Sequence, residues 1–194
     1  MRICFTLVLL LAGLTVLRGQ TCTNRCLDFD GTGDYVSASA SPVTGNANFT
    51  AEARFVCTSS GTSFRRLFAF GGTNTRIEVG ESNGSLRFLR QSSTGSATTG
   101  IPYGSIRNNG WHHLAVRRSG GTLTFFVDCD SVYSTTFTGT LNIDAFRVGS
   151  PAITVTGTVW WDGLIDEVRV WSTTRTGAQI DSTCNCGLQG NESG

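Results

Sequence analysis

Hydrophobic and polar residues alternate along much of this chain. Phe49, Ala51, Ala53, Phe55 and Cys57 occupy one register, with Thr50, Glu52 and Arg54 between them. Leu123, Phe125, Val127 and Cys129 repeat the pattern later. Successive strand side chains point to opposite faces, so a period of two marks a strand with one buried face. The same reading predicts strands near 27–29, 34–37, 49–57, 64–70, 75–79, 85–90, 111–118, 122–128, 131–137, 145–149 and 163–171. Asn83-Gly84 separates Ile77–Val79 from Leu86–Phe88, and Gly120-Gly121 separates Val116 from Leu123. Both are hairpin signals, because these residues adopt the left-handed conformations that tight turns require. The one helical candidate is a short turn from Thr176 to Ser182. Ser92 to Thr99 is expected to be a loop, and Thr135 to Thr140 an exposed edge strand. No repeat of 20–50 residues is visible. Many short strands at close spacing predict an all-β fold, a jelly-roll β-sandwich of two antiparallel sheets.

The ends modify this picture. Arg2 followed by the mostly apolar run Ile3–Leu17 and the small Gly19 predicts a signal peptide over 1–19. That run is short for a membrane span, so the expected product is secreted and soluble. Residues 20–194 are then expected to form one domain. Without Arg2 and Arg18 there are 13 arginines and no lysine against 14 acidic residues, a net charge of about −1. No basic stripe or tail points to nucleic acid. Beyond Cys4, six cysteines remain: Cys22, Cys26, Cys57, Cys129, Cys184 and Cys186. An even count in a secreted chain predicts three disulfides, with a four-cysteine zinc site as the alternative. Cys57 and Cys129 both fall in the apolar register of their strands and can meet in a bridge. Sequons at Asn48, Asn83 and Asn191 are candidate glycosylation sites, with Asn83 on a hairpin tip the most accessible.

Three segments carry a resemblance. They are Leu27-Asp28-Phe29-Asp30-Gly31-Thr32-Gly33-Asp34-Tyr35-Val36, then Trp111-His112-His113-Leu114-Ala115-Val116 with Leu123–Cys129, and then Trp160-Trp161-Asp162-Gly163-Leu164-Ile165-Asp166-Glu167-Val168-Arg169-Val170-Trp171. In this order they resemble the laminin-G-like branch of the concanavalin A-like lectin/glucanase superfamily, over roughly Cys26 to Asp181. The resemblance implies neighbouring termini, so that Cys22 and Cys26 would be cross-linked to Cys184 and Cys186. It implies a calcium between the first and last strands, with Asp30 and Asp166 as ligands beside carbonyls of Gly31 or Gly33. The competing reading is that these aspartates accept backbone N–H bonds in tight turns. It also places the strands of Glu52 and Arg169 in one sheet, where the two would form a cross-strand ion pair.

Candidate chemistry is sparse. A retaining glycosidase needs two carboxyl groups about 5 Å apart. The alternating acids of the superfamily's glucanases, Glu-x-Asp-x-Glu, have no counterpart here, so no catalytic residue is assigned. His112 and His113 are adjacent on a strand and face opposite ways, which prevents shared chelation. No Gly-x-Ser-x-Gly elbow is present. Arg65-Arg66, Arg117-Arg118, Arg87 and Arg90 resemble the residues with which some relatives, thrombospondin amino-terminal modules among them, bind sulfated glycans, and Val127-Asp128-Cys129-Asp130 resembles the matching strand of that branch, which ends in Asp-Cys. Adjacent arginines diverge on a strand, however, and no single face collects them in the sequence. Trp161 and Tyr103 are the candidate sugar platforms, with Trp160 and Tyr133 as neighbours in kind. The expectation is a secreted, non-enzymatic module that binds glycan or an extracellular protein, with calcium as the candidate cofactor. The alternative is a structural component of an extracellular matrix or mineral layer that acts by self-association. Oligomeric state is left open.

Overall fold

The computed structural model describes residues 26–38, 43, 45, 47–72, 75–92, 95–140, 146–152 and 159–188. The expected signal peptide, Cys22 and Asn191 lie outside them. Twelve strands and one helix follow in order: β1 (Leu27–Asp30), β2 (Val36–Ala38), β3 (Phe49–Phe55), β4 (Arg65–Gly71), β5 (Arg76–Ser82), β6 (Ser85–Ser92), β7 (Gly95–Gly100), β8 (His112–Ser119), β9 (Thr122–Val127), β10 (Asp130–Thr136), β11 (Phe146–Val148), β12 (Asp162–Trp171) and α1 (Gly177–Cys184). They build two antiparallel six-stranded sheets, β1-β12-β3-β8-β9-β10 and β2-β11-β4-β5-β6-β7. This is the expected jelly-roll sandwich. The expected loop at 92–99 is instead largely strand, because Gly95–Gly100 pairs along β6. Its Gly, Ser, Ala and Thr residues give no apolar alternation, so backbone pairing makes the strand.

The core lies between the sheets and is built from aromatic side chains. Phe49 of β3 packs on Phe70 of β4 at 5.2 Å, and Phe70 on Phe146 of β11 at 4.9 Å. Phe88 of β6 meets Phe125 of β9 at 4.7 Å. Each such ring, fully buried, contributes about 1.5–3 kcal/mol before packing terms are counted. Gly163 fixes the entry to β12. It has a φ of +134°, and a Cβ there would stand 2.1 Å from the Val56 carbonyl oxygen. Only a glycine lets β12 approach β3 closely enough for Val56 and Leu164 to exchange hydrogen bonds of 2.9 and 3.1 Å.

Beyond Asp166 the β12–β3 ladder slips by one residue. Asp166 faces Arg54, whereas Arg169 faces Glu52. Glu167, at a φ of 50°, lies in this bulge. Uninterrupted alternation would set Asp166 with Val168 and Val170. The bulge separates them: Asp166 lies on the outer face of the sheet, and Val170 packs against the core. The same slip puts Arg169 directly across from Glu52.

The chain after β12 folds back over that outer face. Ile180 of α1 packs on Ala115 and Phe126. A capping box starts the helix: the Thr176 hydroxyl accepts the Gln179 backbone N–H, and the Gln179 side-chain Oε1 accepts the Thr176 backbone N–H. Under the returning chain lies Glu52, only 1% exposed. Its carboxylate accepts the Trp171 indole N–H at 2.9 Å and meets His113 Nε2 at 3.2 Å. Arg169 and Arg175 each stand 3.6 Å from it. The arginines in turn hold the returning chain. Arg169 donates to the Thr183 and Cys186 carbonyls and Arg175 to that of Gln179.

The cysteines depart from expectation. Cys129 is bridged to Cys184, with Cα atoms 5.7 Å apart. Cys57 is a buried thiol and Cys186 an exposed one. Cys26 is disulfide-bonded, but not to Cys184. Cys57 keeps to the apolar register and lies in the core. Cys129 does not: Asp128 and Cys129 form the β9–β10 turn with φ values of 49° and 78°. That turn swings Cys129 out of the β9 register and toward α1, which removes the Cys57–Cys129 bridge.

Two outcomes follow. Glu52→Ala should lower the unfolding free energy by about 3–5 kcal/mol in urea titrations, because it removes the buried carboxylate on which Arg169, Arg175 and Trp171 converge. A loss below about 1 kcal/mol would equate the cluster with an exposed pair. Iodoacetamide should alkylate Cys186 in the native protein and Cys57 only after unfolding, burial having pushed the Cys57 thiol up to about 11.

Candidate ligand-binding face

The expected chemical residues divide into those the fold consumes and those it leaves open. Trp161 is fully buried and meets Phe55 edge-on at 5.4 Å, so it is a core residue and not a platform. Tyr103 is half-buried, and its hydroxyl donates to the Asp128 carboxylate. His112 Nδ1 lies 2.8 Å from the same carboxylate, which also accepts the His113 N–H at 2.8 Å. His112 Nε2 faces the Asn108 side-chain oxygen at 3.1 Å, and that oxygen accepts the Gly110 N–H. Both ring nitrogens of His112 are therefore engaged by side-chain oxygens, which fixes the orientation of the ring. The cluster pins the loop between β7 and β8 to the β9–β10 turn.

Asp128 is pulled two ways. Burial pushes its carboxyl up, but hydrogen bonds from His112, Tyr103 and the His113 N–H outweigh this and hold it below its ordinary value. The hydrogen bond to Asp128, with burial second, raises the Tyr103 phenol to about 12.

Asp30 and Asp166 are not brought together. Asp30 pairs with Asp162, and Leu27 pairs with Ile165, so Asp166 lies four ladder positions beyond Asp162. At about 3.3 Å per residue this is on the order of 13 Å, too far to share an ion. Asp30 accepts the Thr32 N–H at 2.7 Å, as the turn reading expects. Asp162 accepts the Thr58 hydroxyl at 2.7 Å and lies 3.8 Å from Arg65. The donor set therefore does not fit the expected calcium. Among the described residues one group of three metal-capable side chains converges, Cys129, Asp181 and Cys184, and its two sulfurs form the disulfide. No four-cysteine zinc site assembles from Cys26, Cys57, Cys129, Cys184 and Cys186. Of the sequons, Asn83 is exposed at the β5–β6 hairpin tip, whereas the Asn48 side-chain oxygen accepts the Gly120 N–H at 2.8 Å.

An open aromatic pair stands at the rim of the second sheet. Tyr35, 51% exposed, stacks on Trp160 at 6.1 Å with 30° between the ring planes. The Arg147 guanidinium lies 5.4 Å from the Tyr35 ring centre. Arg147 faces Ser37 across the β11–β2 ladder and Ala69 across the β11–β4 ladder. Its neighbours Phe146 and Val148 turn into the core, so Arg147 and Tyr35 belong to the outer face.

That face collects arginines from separate strands. Glu78 of β5 pairs with Ala69 and Leu89, and it binds Arg66 at 3.0 Å and Arg76 at 3.3 Å. Its other partner is the Ala152 N–H at 3.0 Å, which lays Ser150–Ala152 against part of the face. Arg87 of β6 stands between Gly80 of β5 and Gly100 of β7. The sequence shows the facing of each residue, since Arg76, Glu78 and Gly80 alternate with Ile77 and Val79. It does not show which strands are neighbours, and that is why the collection escapes a linear reading.

The sequence pattern of the concanavalin A-like lectin/glucanases superfamily matches residues 30–181. No curated protein sequence matches the chain. Among solved structures, the carbohydrate-binding module CBM40 of the Ruminococcus gnavus IT-sialidase, bound to α2,3 sialyllactose, superposes with a TM-score of 0.67 at 12% identity, covering 82% of this chain and 96% of that one. Domain 4 of AbnA, an extracellular arabinanase of Geobacillus stearothermophilus, in complex with arabinotriose, gives 0.59 at 17% identity over 82% and 87%. Domains LG4-5 of the mouse laminin α1 chain give 0.61 at 13% identity over 77% and 43%. At these identities the likeness is one of fold.

The Asp128 cluster sets a pH dependence. A lowered carboxyl adds stability that is fully present above the unfolded value of about 4 and is lost as pH falls through the folded one. A raised phenol adds stability present below about 10 and lost as pH rises through its folded value. Asp128→Asn should therefore flatten the fall in melting temperature below about pH 4. It should also move the late phenolate absorbance from about 12 toward the ordinary tyrosine value. An acid limb identical to that of the parent would show that the cluster does not hold this carboxylate.

Proposed function

The chain belongs to the concanavalin A-like lectin/glucanases superfamily, with a laminin G-like jelly roll, and from that premise we propose a secreted, non-catalytic recognition module whose ligand is a glycan. The observation that carries this reading is the Tyr35–Trp160 stack, open to solvent at the edge of a sheet face. Aromatic faces take the C–H faces of sugar rings, desolvating apolar area at little entropic cost because the rings are already stacked and held. The sialyllactose-bound CBM40 and the arabinotriose-bound arabinanase domain support it, since both are sugar-holding modules on this sandwich. Fold alone does not select a ligand, so the weight rests on the aromatic rim.

The non-catalytic part is supported by the burial of both histidines and their contacts with carboxylates. His112 has no free ring nitrogen, and His113 Nε2 faces the buried Glu52 carboxylate. Secretion is supported by the apolar leader and by the Cys129–Cys184 disulfide.

The test is a broad glycan array with the mature protein, Tyr35→Ala and Trp160→Ala, in calcium and again in chelator. Each substitution should weaken saturable binding about tenfold, the equivalent of roughly 1.4 kcal/mol of lost stacking. Binding that survives the chelator agrees with an aromatic rim free of metal. Loss in chelator with both variants unaffected would overturn the aromatic reading and move recognition to a metal-dependent site. No binding on an array with working controls would overturn the glycan reading and leave a protein partner or self-association.

A further inference from the structure

Four guanidinium groups and one carboxylate share the outer face of the second sheet: Arg66, Arg76, Arg87, Arg147 and Glu78. Together they carry a net charge of +3, although the whole chain is near neutral. Three of the arginines are engaged. Arg66 and Arg76 hold Glu78, and Arg147 covers Tyr35 and donates to the Pro151 carbonyl at 3.3 Å. Arg87 has no hydrogen-bond or ion-pair partner among the described residues, and its Nε is shielded from water. A partly desolvated guanidinium without a partner is unfavourable, and its planar fork matches a carboxylate.

The two residues directly paired with Arg87 across the ladder carry no side chain. In the ladder it lies between Gly80 and Gly100. A Cβ at Gly80 would stand 1.8 Å from the Arg65 carbonyl oxygen, so that side stays bare. A Cβ at Gly100 would meet nothing within 4 Å, so the other side is open space. The result is a flat floor with one available guanidinium, on the face whose rim carries Tyr35.

We propose that this floor binds the carboxylate of an acidic sugar residue, with Arg87 as its bidentate partner. The inference rests on the glycan reading above and names the ligand class. A densely sulfated polymer would need a row of unpaired cations. Here three of four are already engaged, and one free fork suits one carboxylate.

The experiment is calorimetric titration with a hexuronate trisaccharide, its methyl ester and heparin. The proteins are the parent, Arg87→Gln, Arg87→Lys and Gly100→Leu, with melting temperatures as the control for folding. The hexuronate should bind the parent, and the ester should bind at least about tenfold more weakly. Arg87→Gln should show the same loss, and Arg87→Lys should keep part of the affinity because it retains the charge but not the fork. Gly100→Leu should block the floor without lowering the melting temperature. Equal binding of acid and ester, alongside neutral glycans that still depend on Tyr35, would overturn this inference and leave the recognition reading standing. Tighter heparin binding indifferent to Arg87→Gln would also overturn it. Absence of binding by any glycan, charged or neutral, would remove both.

Discussion

The carboxylate of Glu52 is the constraint on which the architecture turns. It sits in the middle of the first sheet, on the side away from the aromatic core, and it is almost wholly removed from water. A lone charge there would cost several kcal/mol. It is tolerated because Arg169, Arg175, His113 and Trp171 converge on it from neighbouring strands and from the returning chain. The arginines then have donors to spare, which reach the backbone carbonyls of α1 and the turn after it. The helix is therefore placed by a charge network more than by its own apolar contacts, which amount to Ile180 against Ala115 and Phe126.

This arrangement makes the two outer faces of the sandwich unequal. The first sheet is covered by the chain from Ser172 to Gly187, and the Cys129–Cys184 bridge fastens the cover at one end. On the second sheet, among the described residues, Ser150–Ala152 lies against part of the face through the Ala152–Glu78 bond. Its face keeps an aromatic rim, a glycine-flanked floor and a surplus of positive charge. A sandwich that seals one face with an ionic network can leave part of the other open.

The strand pattern of the chain was largely readable in its sequence. Phe49–Cys57 and Leu123–Val127 announce strands because a half-buried strand must alternate. What alternation misses is any event that changes its phase. The bulge at Glu167 moves Asp166 to the outer face and Arg169 opposite Glu52, and nothing local in Asp166-Glu167-Val168 distinguishes it from a regular strand. The left-handed turn at Asp128-Cys129 redirects one cysteine to α1 and leaves Cys57 reduced in the core. Strand β7 escaped for the opposite reason: it has no apolar phase to read. At the aromatic rim, the distinction between Trp160 and Trp161 was visible as an alternation, but the buried ring could not be told from the open one. The arginine cluster depends on strand adjacency in three dimensions, which no single segment encodes.

The position of Cys186 sets a handedness on the whole molecule. It is an exposed thiol on the covering segment of the first sheet, two residues past the bridged Cys184. A tether attached there, to a bead, an electrode or a fluorophore, lies on the side of the sandwich opposite the arginine-bearing face. Among the described residues Cys186 is thus the one exposed thiol, an anchor for oriented display with the open sheet turned outward and the ionic seal turned toward the support.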